Sequence, residues 1–182
     1  MSSPLPNALR IDKLATPIGT ALLLTDDAGA LRALDWQEFE DRVQRVVRLH
    51  YRGTEMREGG APAATRKALA AYFSGELDAL DAVTVAAEGT PFQRKVWDAL
   101  RRIPVGKTLS YSGLAKRIGH PAAIRAVGLA NGANPISVVV PCHRVIGADG
   151  TLTGYGGGLP RKRWLLAHEG AAFQEEPMRR RA

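Results

Sequence analysis

Apolar residues near the start of the chain fall into three short clusters, at 9–14, 20–25 and 31–36. Two turn-forming stretches, Pro17-Ile18-Gly19 and Asp26-Asp27-Ala28-Gly29, separate them. That spacing predicts three strands of an antiparallel meander. Then the period changes. Phe39, Val43, Val46 and Val47 recur near helical spacing and predict a helix over 38–49. Residues 52–62 are polar and Gly-rich, which predicts a loop, and 64–73 read as a second helix ended near Gly75. Residues 1–87 therefore read as a small α+β domain, an antiparallel sheet with helices, whose last stretch (about 78–89) is a linker. No chemical motif is visible in it.

The remainder, 88–171, reads as mostly helical. Thr90-Pro91-Phe92-Gln93 is a strong helix start, with Thr as N-cap, Pro at the first helical position and Gln closing a capping box. Phe92, Val96, Trp97 and Leu100 form an apolar stripe that Pro104 stops. Ser110 caps a second helix, with Leu114, Ala115 and Ile118 inward and Gly119 at its end. Pro121 is expected to start a third, short helix through Ile124, Val127 and Leu129. Two short helices joined through Gly119-His120-Pro121 have the size and turn chemistry of a helix-turn-helix, although ordinary core helix pairs look the same. Residues 136–140 are apolar and rich in β-branched side chains, predicting a buried strand that leads into Pro141-Cys142-His143-Arg144. A Gly-rich loop around Tyr155 follows. A last helix over 161–168 turns Trp164 and Leu165 inward, with Gly170 just past its end. Residues 172–182 form a basic tail, expected to be flexible.

Composition excludes some classes. With 45% hydrophobic and 24% charged residues the chain is globular and not disordered. No apolar run approaches a membrane span, and the N-terminus lacks the basic and apolar stretches of a signal peptide. A cytoplasmic protein without a membrane partner is expected. The net charge of +7 is unevenly placed. Residues 1–87 carry 10 Lys/Arg against 12 Asp/Glu, a net of −2, and residues 88–182 carry 15 against 6, a net of +9. Such asymmetry is expected where the second half meets a polyanion, or where a solvated basic face ends in an Arg179-Arg180-Arg181 tail.

Cys142 is the sole cysteine, which excludes a disulfide framework and a zinc site built on several thiolates. The four His, at 50, 120, 143 and 168, show no metal-ligand spacing. No metal or cofactor is expected. A lone Cys is usually a small buried hydrophobe, but Cys142 has His143 and Arg144 beside it. A thiol attacks only as thiolate and needs a base or positive potential nearby. Adjacent side chains point to opposite faces of a strand and sit about 100° apart in a helical turn, so direct contact is awkward. A bridging water between thiol and imidazole is therefore expected. The imidazole needs a group that fixes its tautomer, and Glu169 is the candidate. It stands at a helix C-terminus, where the macrodipole disfavours a carboxylate; such a residue is either partnered or simply exposed on the surface.

Pro141-Cys142-His143-Arg144-Val145 resembles the signature of the O6-alkylguanine-DNA alkyltransferases (methylated-DNA–protein-cysteine methyltransferases). The likeness runs from Thr90 to Gly170, through Ser110-Tyr111, Arg125-Ala126-Val127-Gly128, Gly132-Ala133-Asn134-Pro135, Tyr155-Gly156-Gly157 and Leu165-Leu166-Ala167-His168-Glu169-Gly170, in order and spacing. Residues 1–89 are similar to the family's variable N-terminal domain, which is ribonuclease H-like, only in length and coarse pattern. The resemblance implies a single-turnover repair protein that moves an alkyl group from O6-alkylguanine in DNA to Cys142, with O4-alkylthymine left open. His143 is then the base acting through water, Glu169 the carboxylate behind it, and Asn134 the brace of the turn before the reactive segment. Arg125 is the side chain that fills the space of the flipped nucleotide, and Tyr111 supports rotation and assists the departing base at N3. Ala126, Gly128, Ala130 and Asn131 belong to the helix implied to enter the minor groove. Val145, Tyr155, Gly156 and Gly157 belong to the guanine pocket, with the Gly156 backbone N–H near O6. Double-stranded DNA is the implied partner, bound by a monomer, with cooperativity left open.

These roles make chemical sense. The alkylated O6 is inaccessible in the stack, so the nucleotide must be flipped. Guanine leaves only if charge on its O6/N3 system is neutralised. Two departures stand out. Gly156 replaces a residue that in many relatives has a side chain, which leaves acceptance of bulky adducts such as benzyl open. The zinc ligands of some relatives' N-terminal domains have no counterpart here. Three rivals remain: a non-catalytic alkyltransferase-like lesion sensor, in which the cysteine is typically replaced; a Cys-His hydrolase of small molecules, whose activity would ignore DNA and salt; and a transcription regulator, which would bind undamaged DNA sequence-specifically.

Overall fold

The computed structural model describes residues 5–175. Strands β1 (Ala8–Thr16), β2 (Gly19–Asp26) and β3 (Leu31–Trp36) form the expected antiparallel meander, in register Leu14 opposite Ala21 and Leu23 opposite Leu34. Gly19, at φ 121°, closes the first turn, a conformation that L side chains rarely adopt. Because successive side chains point to opposite faces, β2 serves two cores at once. Leu22 and Leu24 pack with Val43 and Tyr51 on one side, under α1 (Glu40–His50), while Ala21 and Leu23 join the main core on the other.

Residues 52–62 are not only loop. They contain β4 (Glu55–Glu58), which pairs in parallel with β1, Leu9 opposite Met56, so the sheet is mixed and runs β3-β2-β1-β4. Glu-Met-Arg-Glu carries no strand pattern, and the open edge of β1 supplies the pairing. Helix α2 (Ala63–Phe73) follows on the main-core side. The expected linker is pinned as well. Leu31 donates its N–H to Thr84 O and accepts from Ala86 N–H, both at 2.9 Å, while Leu80 and Val83 are buried. One continuous core therefore joins Trp36, Leu69 and Tyr72 of the first half to Trp97, Leu100, Leu114 and Leu165 of the second.

Helix α3 (Pro91–Arg101) begins with the capping box of Thr90 and Gln93. A two-residue strand, β5 (Leu109–Ser110), precedes α4 (Tyr111–Arg117), whose cap is the Ser110 hydroxyl accepting from Gly113 N–H at 3.0 Å. Gly119, at φ 77°, turns the chain toward α5 (Ile124–Gly132). That helix starts three residues later than Pro121, because residues 120–123 close a turn through Ala123 N–H to His120 O. Residues 136–140 are buried but do not form a strand. Ile136 makes one bridge to Leu34, after which the chain coils, with Val138 at φ 70° and Val140 N–H returning to Ile136 O at 3.0 Å. A β-branched residue in the left-handed region is strained, and such strain persists only where the surroundings hold it. The chain continues into β6 (Val145–Ile146), parallel to β5, and then α6 (Leu159–His168).

The start of the expected tail is docked: Gln174 N–H bonds Gly150 O at 2.8 Å, and Phe173 packs on Ile146, Leu152 and Leu166. Arg179, Arg180 and Arg181 lie outside the described residues. No helix among the described residues is long and apolar enough to cross a membrane.

Candidate active site and nucleic-acid interface

Cys142 opens a 3-10 turn, Cys142–Arg144, directly after the strained segment. Asn134 holds that segment in place: its Nδ2 donates to Val140 O at 2.8 Å and its Oδ1 accepts from Ile136 N–H at 3.0 Å. The end of α5 is thereby tied to the backbone just before Cys142. Cys142 is 6% exposed. Burial pushes the pKa of its thiol up, against the pull of the Asn134 side chain and the Lys162 ammonium. Lys162 is itself fully buried on α6, its Nζ donating to Val145 O at 2.6 Å and Thr153 O at 2.9 Å. Burial lowers its pKa to about 8.

Behind the cysteine lies a closed polar network. His143 is fully buried, with Nε2 at 2.9 Å from Glu169 Oε1. Nδ1 is also buried and has no hydrogen-bond partner among the described residues. Burial lowers the pKa of this imidazole despite the carboxylate beside it, so it rests neutral, and an ionised Glu169 assigns the proton to Nε2. Nδ1 is then a free acceptor. Glu169 caps the C-terminus of α6 but is buried, which removes the alternative of an exposed surface residue. Besides His143 it accepts from Tyr72 Oη at 2.7 Å and from Arg144 Nε and Nη2 at 2.8 and 2.9 Å. Burial alone would raise this carboxyl, but the donors of His143 and Arg144 hold it well below the usual carboxylate range. The local macrodipole disadvantage, worth a few tenths of a kcal/mol at exposed sites, is small beside a guanidinium at this distance.

A cavity of about 690 Å³ opens onto Cys142 and is lined by Tyr111, Gly128, Asn131, Asn134, Tyr155 and Gly156, with Asp35 and Arg42 from the N-terminal half. Tyr111 is half-buried at the start of α4, its phenol accepting from Thr153 Oγ1 at 3.1 Å. Gly128 approaches the Tyr111 ring, which a Cβ would meet at 3.8 Å. Arg125 and Ala126 are exposed on α5. Ala130 is not on that outer face: it is 3% exposed and its carbonyl accepts the Trp97 indole N–H at 2.8 Å. Asn131 is buried against the cavity. Val145 is buried, and Gly157 sits against Trp36, whose indole nitrogen a Cβ would meet at 2.6 Å. No group of three or more His, Cys, Asp or Glu among the described residues is placed to hold a metal ion.

Residues 91–171 match the family model described as 6-O-methylguanine DNA methyltransferase, DNA binding domain. A methylated-DNA–protein-cysteine methyltransferase of Salmonella typhimurium is 52% identical over 161 residues, covering 87% of this chain and 94% of that protein. The crystal structure of Mycobacterium tuberculosis OGT in complex with DNA superposes with a TM-score of 0.75 at 44% identity, covering 88% of this chain and 92% of that one. An O6-methylguanine-DNA methyltransferase of Pyrococcus kodakaraensis, 26% identical, gives a TM-score of 0.66 over 90% of this chain and 99% of that one. The chain belongs to the methylated-DNA–protein-cysteine methyltransferase family. Several side chains that surround Cys142 carry little sequence signal. Arg144 was visible only as a neighbour of Cys142, not as the partner of Glu169. Tyr72 and Arg42 lie in a half without motifs, and Lys162 has the pattern of a surface residue in an Arg/Lys-rich stretch. Leu129, 71% exposed one turn beyond Arg125, has the apolar type that periodicity assigns to a core.

Proposed function

We propose that this chain repairs alkylated DNA directly, taking the alkyl group from O6 of guanine in a duplex onto Cys142 Sγ once per molecule. The observation that carries the reading is Cys142 at the floor of a cavity with His143, Glu169 and Arg144 buried behind it. The resting pair is thiol and neutral imidazole. On attack, the Sγ proton passes through one water to His143 Nδ1, and the imidazolium formed is stabilised by ionised Glu169. The Sγ–C bond forms as the C–O6 bond breaks. The electron pair left on the purine is neutralised by a proton at N3, with the Tyr111 hydroxyl as donor. The Gly156 backbone N–H faces O6. A thioether has no ready leaving chemistry, so turnover stops there.

Double-stranded DNA is bound through α4 and α5, with Arg125 and Ala126 on the exposed face and α5 in the minor groove of a nucleotide-flipped duplex. The protein acts as a monomer. The test is the intact mass of the protein after mixing with a duplex containing one O6-methylguanine. A gain of about one methylene, confined to Cys142 and absent from Cys142→Ser, is the expected single-turnover adduct. Damage-selective binding without any mass gain would make the protein a lesion sensor instead.

A further inference from the structure

The loop that walls the cavity beside Cys142, residues 154–158, is held from the N-terminal half. Arg42 on α1 donates from Nη1 to Gly156 O and from Nη2 to Asp35 Oδ1, both at 2.6 Å. Its guanidinium lies 4.0 Å from the Phe39 ring centroid, which leaves it little freedom to swing away. Asp35 belongs to β3, whose neighbours are fully buried, so the anchor at the far end of the latch is rigid. One residue on, Gly157 O accepts from Arg161 Nη1 at 3.0 Å, and Arg161 Nε donates to Ile18 O at 2.7 Å. Two consecutive carbonyls of the wall are therefore fixed by arginines that also reach into the sheet domain. The absence of a side chain at Gly156 belongs to the same device. A Cβ there would stand 3.2 Å from Arg42 Nη1, so Arg42 occupies the room that a side chain would take.

We infer that Arg42 is a positioning residue that sets the size of alkyl group the site accepts. Clamped between Asp35 and Gly156 it forms part of the cavity wall and keeps the loop backbone against the small substrate. Without it the loop relaxes outward and the wall retreats. Small adducts lose their fit, and large ones gain space. The inference rests on the alkyl-transfer reading above, to which it adds a role for the N-terminal half.

The test uses the full chain and two duplexes of one sequence, carrying O6-methylguanine or O6-benzylguanine, with the rate of adduct formation on Cys142 followed by intact mass. Arg42→Ala is expected to raise the benzyl-to-methyl rate ratio about tenfold, the worth of one charge-assisted hydrogen bond. Gly156→Ala, whose Cβ would press on the same guanidinium at 3.2 Å, should raise the ratio in the same direction. The double variant should do no more than either single change, because both break one latch. An unchanged ratio in Arg42→Ala overturns the proposal. So does a parallel loss on both duplexes with a fall in melting temperature, which marks a structural role alone. Additive effects in the double variant would equally separate Arg42 from the loop. Failure of the unaltered chain to react with the O6-methylguanine duplex would be a different result, sinking the alkyl-transfer reading on which all of this rests.

Discussion

Asp35 and Glu169 are both carboxylates with little exposure, each paired with an arginine near Cys142, yet their protons respond in opposite directions. Burial pushes the Asp35 carboxyl above its ordinary value of 3.8, with Arg42 and the Trp36 N–H only partly opposing it. Glu169 falls well below its ordinary value although burial raises it too, because His143 and two nitrogens of Arg144 outweigh the cost. The difference lies in the partners. Arg42 is 40% exposed and shares its guanidinium with Gly156, whereas the Arg144 side chain is 8% exposed and gives Glu169 both Nε and Nη2. Water screens the first pair and not the second. One carboxylate anchors a mechanical latch, and the other is a fixed negative charge that orients His143.

The largest effect should come from Glu169→Gln. The amide presents N–H groups to donors and leaves the Arg144 cation buried without a counter-charge, an arrangement that costs about 3–5 kcal/mol. Urea unfolding should show that loss, and single-turnover transfer should slow about a hundredfold or more as the imidazole loses its orienting group. A stable variant with near-normal rate would remove the division of labour between the two carboxylates.

A smaller effect separates them by pH. Glu169 has a depressed folded pKa, so its contribution to stability is fully present above its unfolded value near 4.5 and is lost as pH falls toward the folded one. For Asp35 the folded pKa is raised, so its contribution favours the folded chain at low pH and is lost as pH rises through the folded value. Unfolding free energy measured from pH 3 to 6 should therefore flatten on the acid limb in Glu169→Gln. In Asp35→Asn it should steepen, because a group that favours the folded chain at low pH is removed. The same direction in both variants would mean that their environments do not differ in the stated way.

Much of this arrangement was legible in the chain, and the rest was hidden for physical reasons. The capping box of Thr90 and Gln93, the Ser110 cap and the three-stranded meander follow from local rules, because each is satisfied within a few residues. Residues 136–140 differ from the expected strand because β-branched apolar residues mark burial and strand alike. What decides between them is the Asn134 side chain, which turns the backbone. β4 has one partly buried apolar residue and exists through its partner. In the site, Cys142 and His143 sit in one motif and Asn134 in another shortly before it, and Glu169 violates a helix-end rule that exposes it. Tyr72 reaches Glu169 across 97 residues of sequence, and Arg42 reaches Gly156 across 114. No local pattern encodes such contacts.

Tyr72→Phe should have the smallest effect, and it tests how much of the Glu169 behaviour belongs to the fold of the N-terminal half. The phenol donates to Glu169 Oε1 at 2.7 Å, and its own pKa is driven far up by burial and by that carboxylate. It is therefore a donor at every accessible pH. Phenylalanine keeps the ring contacts with Phe73 and His168 and removes only the hydroxyl. Glu169 then retains its contacts with His143 and Arg144, so no buried charge is orphaned and the loss should be near 1 kcal/mol. Transfer should slow by no more than about fivefold, the rate equivalent of that energy. With one donor fewer, the Glu169 carboxyl should rise, moving the acid limb of stability to higher pH while leaving its slope. A loss as large as that of Glu169→Gln would make Tyr72, and not Arg144, the partner that keeps Glu169 ionised, and would place the N-terminal half inside the proton-transfer machinery as well as around it.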